Sequence, residues 1–285
     1  MLLRFCAVLG IYAPGCSSED RIYGNNGSHR EVDWNLYSTS YPFLVSLVFE
    51  APDDHQVCSG TLIHENYVLT AASCWYPESQ NNNFEESSLV KRLSVWLHTP
   101  SGWRVARPQY LHTHRNFSRE SYRDNIAIFH LMTPLVGVPV ATLEQQQVEH
   151  VGEQALVAGW GAADSECKVR PKPSVLKEGD KQIASSRPCY LQTLLGRGKG
   201  PFEPGRHICT QEIQSGSAGM GCGDEGAPML LRVNGTTVQV GLYSHKSGLR
   251  DIFVRVSAYA DWINSVLTYQ NFCRPPDCWG GWGGR

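Results

Sequence analysis

The side chains with chemistry to offer are cysteines, a pair of carboxylates and a few asparagines. Ten cysteines stand in 285 residues. In an oxidising compartment such a set staples loops, and in a reducing one it binds metal or attacks substrates. Cys273 and Cys278 enclose Arg-Pro-Pro-Asp, a tight proline turn that a disulfide can bridge. Asp224 and Glu225 are adjacent; either could serve as an acid, a base or a weak nucleophile, but they have no matched partner. Asn26, Asn116 and Asn234 each begin an Asn-x-Ser/Thr tripeptide, a glycosylation acceptor if the source is a eukaryote.

The compartment follows from the N-terminus. Met1-Leu-Leu-Arg4 precedes an apolar stretch from Phe5 to Ala13, the charge-then-apolar order of a signal peptide over residues 1–15. Residues 16–21 then form a short pro-segment. Ala13-Pro-Gly-Cys16 also has a faint likeness to a bacterial lipoprotein signal, although Ala13 stands where that pattern has Leu. The expectation is secretion, with a lipid anchor through Cys16 as the alternative. The apolar stretch is too short to span a bilayer, and no other run approaches the roughly 18 residues a helical span needs. Apolar residues make up 41% and charged residues 18%, with a formal net charge of −2. Those values suit a folded domain and point away from nucleic acid or an anionic membrane as partner.

Several elements could position these groups. Short β-like runs recur between turn residues: 43–49, 61–63, 67–70, 93–97, 126–129, 155–158, 229–231, 238–242 and 252–256. Their number and spacing predict an all-β barrel or sandwich. Tyr259, Trp262, Ile263 and Val266 recur at helical spacing, so one amphipathic helix closes the domain. Residues 16–39 read as a polar segment, and 269–285 as a tail rich in Cys, Gly and Trp without periodicity.

Ordered motifs carry a resemblance. Cys58-Ser-Gly-Thr-Leu-Ile63 is followed by Val68-Leu-Thr-Ala-Ala-Ser-Cys74. Arg21-Ile-Tyr-Gly24 and Tyr41-Pro-Phe-Leu-Val-Ser-Leu47 precede them. Asn125-Ile-Ala-Ile128, Gly159-Trp-Gly161, Gly223-Asp-Glu-Gly-Ala-Pro228 and the run 254–263 come after. Together they resemble the trypsin/chymotrypsin (peptidase S1) family over residues 22–268. The resemblance implies two six-stranded antiparallel β-barrels packed together around a substrate cleft, with a C-terminal helix. It also implies the disulfides Cys58–Cys74 and Cys189–Cys209. Cys222 lies one residue closer to Gly223-Asp224 than the family's cysteine does, and its usual partner is missing. Either Cys167 and Cys222 pair privately across one side of the cleft, or both are free buried thiols.

The same resemblance locates the catalytic positions. The family cleaves peptides with a serine nucleophile, a histidine base and an aspartate that orients the histidine. Here those places hold Glu225, Ser73 and Asn125; Asp124 is one residue too early and should face the other way. The amides of Gly223 and Glu225 would form the oxyanion hole, with the Glu225 carboxylate either taking them or reaching into the vacant histidine space. Gly219 stands at the pocket base, where trypsin-like members carry an aspartate. Ser244-His245-Lys246 forms the pocket edge, with Lys246 narrowing its mouth. Arg21-Ile22 and Asp224 are the activation set: after cleavage the Ile22 amine would pair with Asp224, unless Asp224 is only a hydrogen-bonded turn residue. No cofactor or metal is expected.

Two functional readings follow. The first is a secreted protein with no peptidase activity, and no enzyme, that binds another extracellular protein as regulator, inhibitor or recognition factor. The second is a hydrolase with altered chemistry that uses Glu225.

Overall fold

A computed structural model describes residues 29–50, 55–75, 90–161, 176–196, 200–211 and 219–272. Two mainly antiparallel sheets dominate it. The first runs β6-β5-β2-β3-β4-β8-β7, with β2 Leu44–Phe49, β3 His55–His64, β4 Tyr67–Thr70, β5 Leu93–Thr99, β6 Gly102–Ala106, β7 Pro108–Thr113 and β8 Ala127–Leu131. The second runs β1-β11-β10-β13-β14-β15-β12, with β9 paired in parallel to β14. Its strands are β1 His29–Val32, β9 Thr142–Leu143, β10 Gln154–Gly159, β11 Leu176–Gln182, β12 His207–Cys209, β13 Pro228–Val233, β14 Thr236–Ser247 and β15 Arg250–Arg255.

The seven and eight strands differ from the expected six and six for simple reasons. β6 pairs with β5 and β7 with β8, so 102–113 is one strand that bends where Pro108 cannot donate a ladder hydrogen bond. The second sheet reaches eight by adding β1, in a segment expected to be only polar, and the two-residue β9. It curls towards closure through an Ile183–Thr210 bridge and the Ala184 N–H to Cys209 carbonyl bond of 2.8 Å.

Burial explains which strands form. β2, β4 and β15 are buried along almost their whole length, as expected of apolar runs sandwiched between layers. Leu44, Leu47, Leu93 and Phe129 fill one core, and Val157, Met229, Val240 and Phe253 another. The predicted closing helix is present as a 3-10 turn, Val256–Tyr259, leading into an α-helix over Ala260–Phe272.

Two helices were not expected. α1, Trp34–Ser40, is capped by Asp33, whose carboxylate accepts from the Leu36 N–H at 2.8 Å. α2, Ser186–Leu194, buries only Cys189; it is held by the Cys189–Cys209 disulfide and by a Phe202 N–H to Thr193 Oγ1 bond of 3.2 Å. We number the C-terminal helix α3. Among the described residues no helix is long and apolar enough to cross a membrane.

Candidate active site

The first barrel delivers Ser73 and Asn125. β4 ends at Thr70 and turns into a 3-10 helix, Ala72–Trp75, pinned by the Cys58–Cys74 disulfide. Asn125 lies just before β8 and is fully buried. Its Oδ1 accepts from the Ser73 N–H at 2.7 Å, and its Nδ2 donates to Ser73 Oγ at 3.1 Å and to Ser244 Oγ at 2.8 Å. Ser244 Oγ in turn lies 2.9 Å from His245 Nδ1. The chain therefore brings Ser73, Asn125, Ser244 and His245 into one hydrogen-bonded network that spans both barrels.

Asp124 faces away from that network, as its position one residue early predicts. Its fully buried carboxylate accepts from the Tyr259 hydroxyl at 2.7 Å and pairs with Arg206. Buried without charge compensation it would be costly; Arg206 supplies the cation from the turn before β12, and Tyr259 ties the C-terminal helical segment to the first barrel.

The second barrel delivers the loop Gly221–Ala227. Its fold depends on glycine: Gly226 has φ of +85°, and a Cβ there would meet the Ser59 carbonyl oxygen at 2.1 Å. Ser59 locks the loop from the first barrel, donating its N–H to the Glu225 carbonyl at 2.8 Å and its hydroxyl to the Gly223 carbonyl at 3.2 Å. Glu225 Oε2 accepts from the Gly223 N–H at 2.8 Å. Of the two destinations expected for this carboxylate, it takes the amide donor of the hole. Burial pushes the Glu225 carboxyl up to about 7; its own amide and that of Gly223 pull it down, and the Asp224 charge adds to the rise.

Asp224 is buried behind that loop. Its oxygens accept from the N–H groups of Gly161 at 2.7 Å and Gly221 at 2.9 Å. Gly161 is needed here, because a Cβ on it would lie 2.3 Å from the carboxyl. Burial pushes Asp224 up to about 6, against the pull of the two amides. Arg21 and Ile22 lie outside the described residues.

Around the pocket, Gly219 is buried and Lys246 half-buried. His245 is nearly buried and stacks on Tyr122, with ring centroids 4.6 Å apart. Tyr122, absent from the sequence reading, has φ of +54°, a conformation rare for an aromatic residue. The disulfides Cys58–Cys74 and Cys189–Cys209 are present. Cys222 is disulfide-bonded, which removes the free-thiol alternative for it; Cys167, Cys273 and Cys278 lie outside the described residues. Among the described residues no group of three or more His, Cys, Asp or Glu side chains is disposed to hold a metal ion.

Comparison with known proteins gives the ancestry. The family model described as Trypsin matches residues 35–263. Cathepsin G of Homo sapiens is 26% identical over 233 residues, covering 80% of this chain and 83% of its own. Tryptase of Mus musculus is 28% identical over 271 residues, covering 90% and 92%. Vitamin K-dependent protein C of Oryctolagus cuniculus is 27% identical, covering 74% of this chain and 46% of the relative. These matches correct the expectation that the chain stands outside the enzymes, since the relatives bear the names of serine proteases. The expectation rested on three side chains, whereas ancestry reaches across nearly the whole domain. With two sheets meeting at the Ser73–Asn125 network and the Glu225 loop, the chain belongs to the trypsin family of serine proteases.

Proposed function

We propose that this chain is secreted and uses the rim of its cleft to bind another extracellular protein, as regulator, inhibitor or recognition factor. The observation that carries the reading is the Glu225 carboxylate on the Gly223 amide, 2.8 Å away. In the family that amide is kept for a substrate oxygen; here a side chain of the protein holds it. Binding by preformed loops does not require that amide to be open. The apolar N-terminal stretch and the disulfides support an extracellular setting.

A second reading is hydrolysis by chemistry that uses Glu225. It is favoured by the carboxyl raised to about 7, the range suited to a general acid or base, and by the protease-named relatives. One experiment separates the two. The purified protein is incubated with peptide and ester substrates and with a fluorophosphonate, alongside Glu225→Gln. A saturable complex recovered from the native extracellular fluid, formed equally by Glu225→Gln, is the expected result. Turnover that disappears in Glu225→Gln would replace the binding reading with the hydrolytic one.

A further inference from the structure

Gly219 leaves the base of the specificity pocket without an acid, but a carboxylate reaches that place from another strand. Asp251, on β15, is fully buried. Its Oδ2 accepts from the N–H of Met220, the residue after Gly219, at 3.4 Å. Across the β14–β15 hairpin it stands directly opposite Lys246, on the pocket edge. Asp251 thus lies between the pocket base and its rim. Its backbone is fixed there by Thr210, whose Oγ1 accepts the Asp251 N–H at 3.1 Å.

The acid already has a cation. Lys181, 5% exposed, places Nζ 2.6 Å from Asp251 Oδ2. β11 alternates over Asp180, Lys181 and Gln182, with the outer two exposed and Lys181 buried, so the period of the strand sends this lysine into the barrel. A lone lysine would not stay charged there without a partner, nor would a lone aspartate. The second oxygen, Oδ1, has neither a hydrogen-bond partner nor solvent, which leaves one buried acceptor with capacity to spare.

We propose that the specificity pocket is self-liganded: Asp251 supplies the acid that Gly219 lacks, and Lys181 occupies it from inside the barrel in place of a ligand's cation. The pocket of the natural protein therefore refuses cationic side chains, and a compact cation enters only when Lys181 gives up its charge. The proposal stands whether or not the cleft rim binds a partner protein.

Benzamidine, a flat aromatic amidinium, is the probe, read by calorimetric titration and by thermal shift on the full chain. The unaltered protein should show no shift. Lys181→Gln, which keeps a polar group but frees the carboxylate, should bind benzamidine roughly tenfold tighter or better than the unaltered protein. Lys181→Gln with Asp251→Asn should lose that gain. A shift in the unaltered protein as large as in Lys181→Gln, or a gain that survives Asp251→Asn, would overturn the proposal. Should Lys181→Gln fold poorly, its refolded yield with and without benzamidine decides instead, because a ligand of the native state raises that yield. A rise confined to the variant that keeps Asp251 supports the self-liganded pocket, and no rise refutes it.

Discussion

The two halves of the cleft hold their buried polar groups in different physical ways. On the first-barrel side, Asn125 joins Ser73 and Ser244 by three hydrogen bonds of 2.7–3.1 Å. Every group in that network except His245 is neutral at all ordinary pH values, so burial costs nothing that hydrogen bonding does not offset. On the second-barrel side, Asp224 and Glu225 are adjacent carboxyls, both pushed up by burial, to about 6 and about 7. That side carries a penalty that grows as the carboxyls ionise. The Asn125, Ser73 and Ser244 side chains should therefore add no pH dependence, while the carboxyls make the domain less stable as pH rises towards neutrality.

The strongest way to break the comparison is to dislodge the loop that holds the carboxyls. Gly226→Ala must place a Cβ where the Ser59 carbonyl stands, 2.1 Å away, at a φ of +85°. Backbone cannot yield cheaply at such a contact, so a loss of at least about 3 kcal/mol is expected. Chemical denaturation reads it, and a loss below about 1 kcal/mol would mean that the loop moves freely. The Asn125 network contains no glycine of this kind, and no single substitution in it should cost as much.

Glu225→Gln sharpens the comparison next. A carboxyl whose folded value lies near 7, against an ordinary 4.5, binds its proton more tightly in the folded protein. Its stabilising effect is complete below about 4.5 and is lost as pH rises through about 7. Glutamine keeps an acceptor for the Gly223 N–H without the charge. The variant should match the unaltered protein near pH 4 and exceed it by about 1–3 kcal/mol above pH 7. Stability measured against pH for both proteins checks this, and parallel curves would refute it. Asp224 should leave a smaller residual slope in the variant between about 4 and 6, of the same sign.

The contrast also shows what a sequence makes legible. Ser73, Asn125 and Glu225 could be placed because each sits inside or directly beside an apolar or glycine-rich run that fixes its register: Leu69 to Cys74, Ile126 to Ile128, and Gly223 to Pro228. The strands found early, β2, β4, β8 and β15, likewise each contain a short apolar run, such as Val68-Leu69, Ala127-Ile-Phe129 and Ile252-Phe-Val254. β11 was not visible because Glu178 and Lys181 occupy inward positions, and buried charge erases the alternation that marks a strand. α2 escaped because its buried face is one disulfide cysteine. Asp251 and Tyr122 matter through what packs on them, Lys181 in one case and His245 in the other. Those partners lie 70 and 123 residues away along the chain, and no local pattern announces them.

The smallest effect is the most exacting test of the hydrogen-bonded network. Asn125→Asp replaces an amide by a carboxylate of nearly the same shape. The Ser73 N–H can still donate to Oδ1, because that bond already runs from backbone to side-chain oxygen. The other two bonds must reverse: Asn125 donates to Ser73 Oγ and Ser244 Oγ, whereas a carboxylate only accepts. Both partners are hydroxyls, and a hydroxyl proton can rotate to donate. The new charge then gains three donors, which offsets much of its desolvation. Ser244 Oγ, which is shared with His245 Nδ1, would then donate to the carboxylate and accept from the imidazole N–H. We expect a change below about 1 kcal/mol at pH 7, read by chemical denaturation. A loss above about 3 kcal/mol would show that the hydroxyls cannot turn, and that the amide orientation of Asn125, not merely its shape, holds the two barrels together at the cleft.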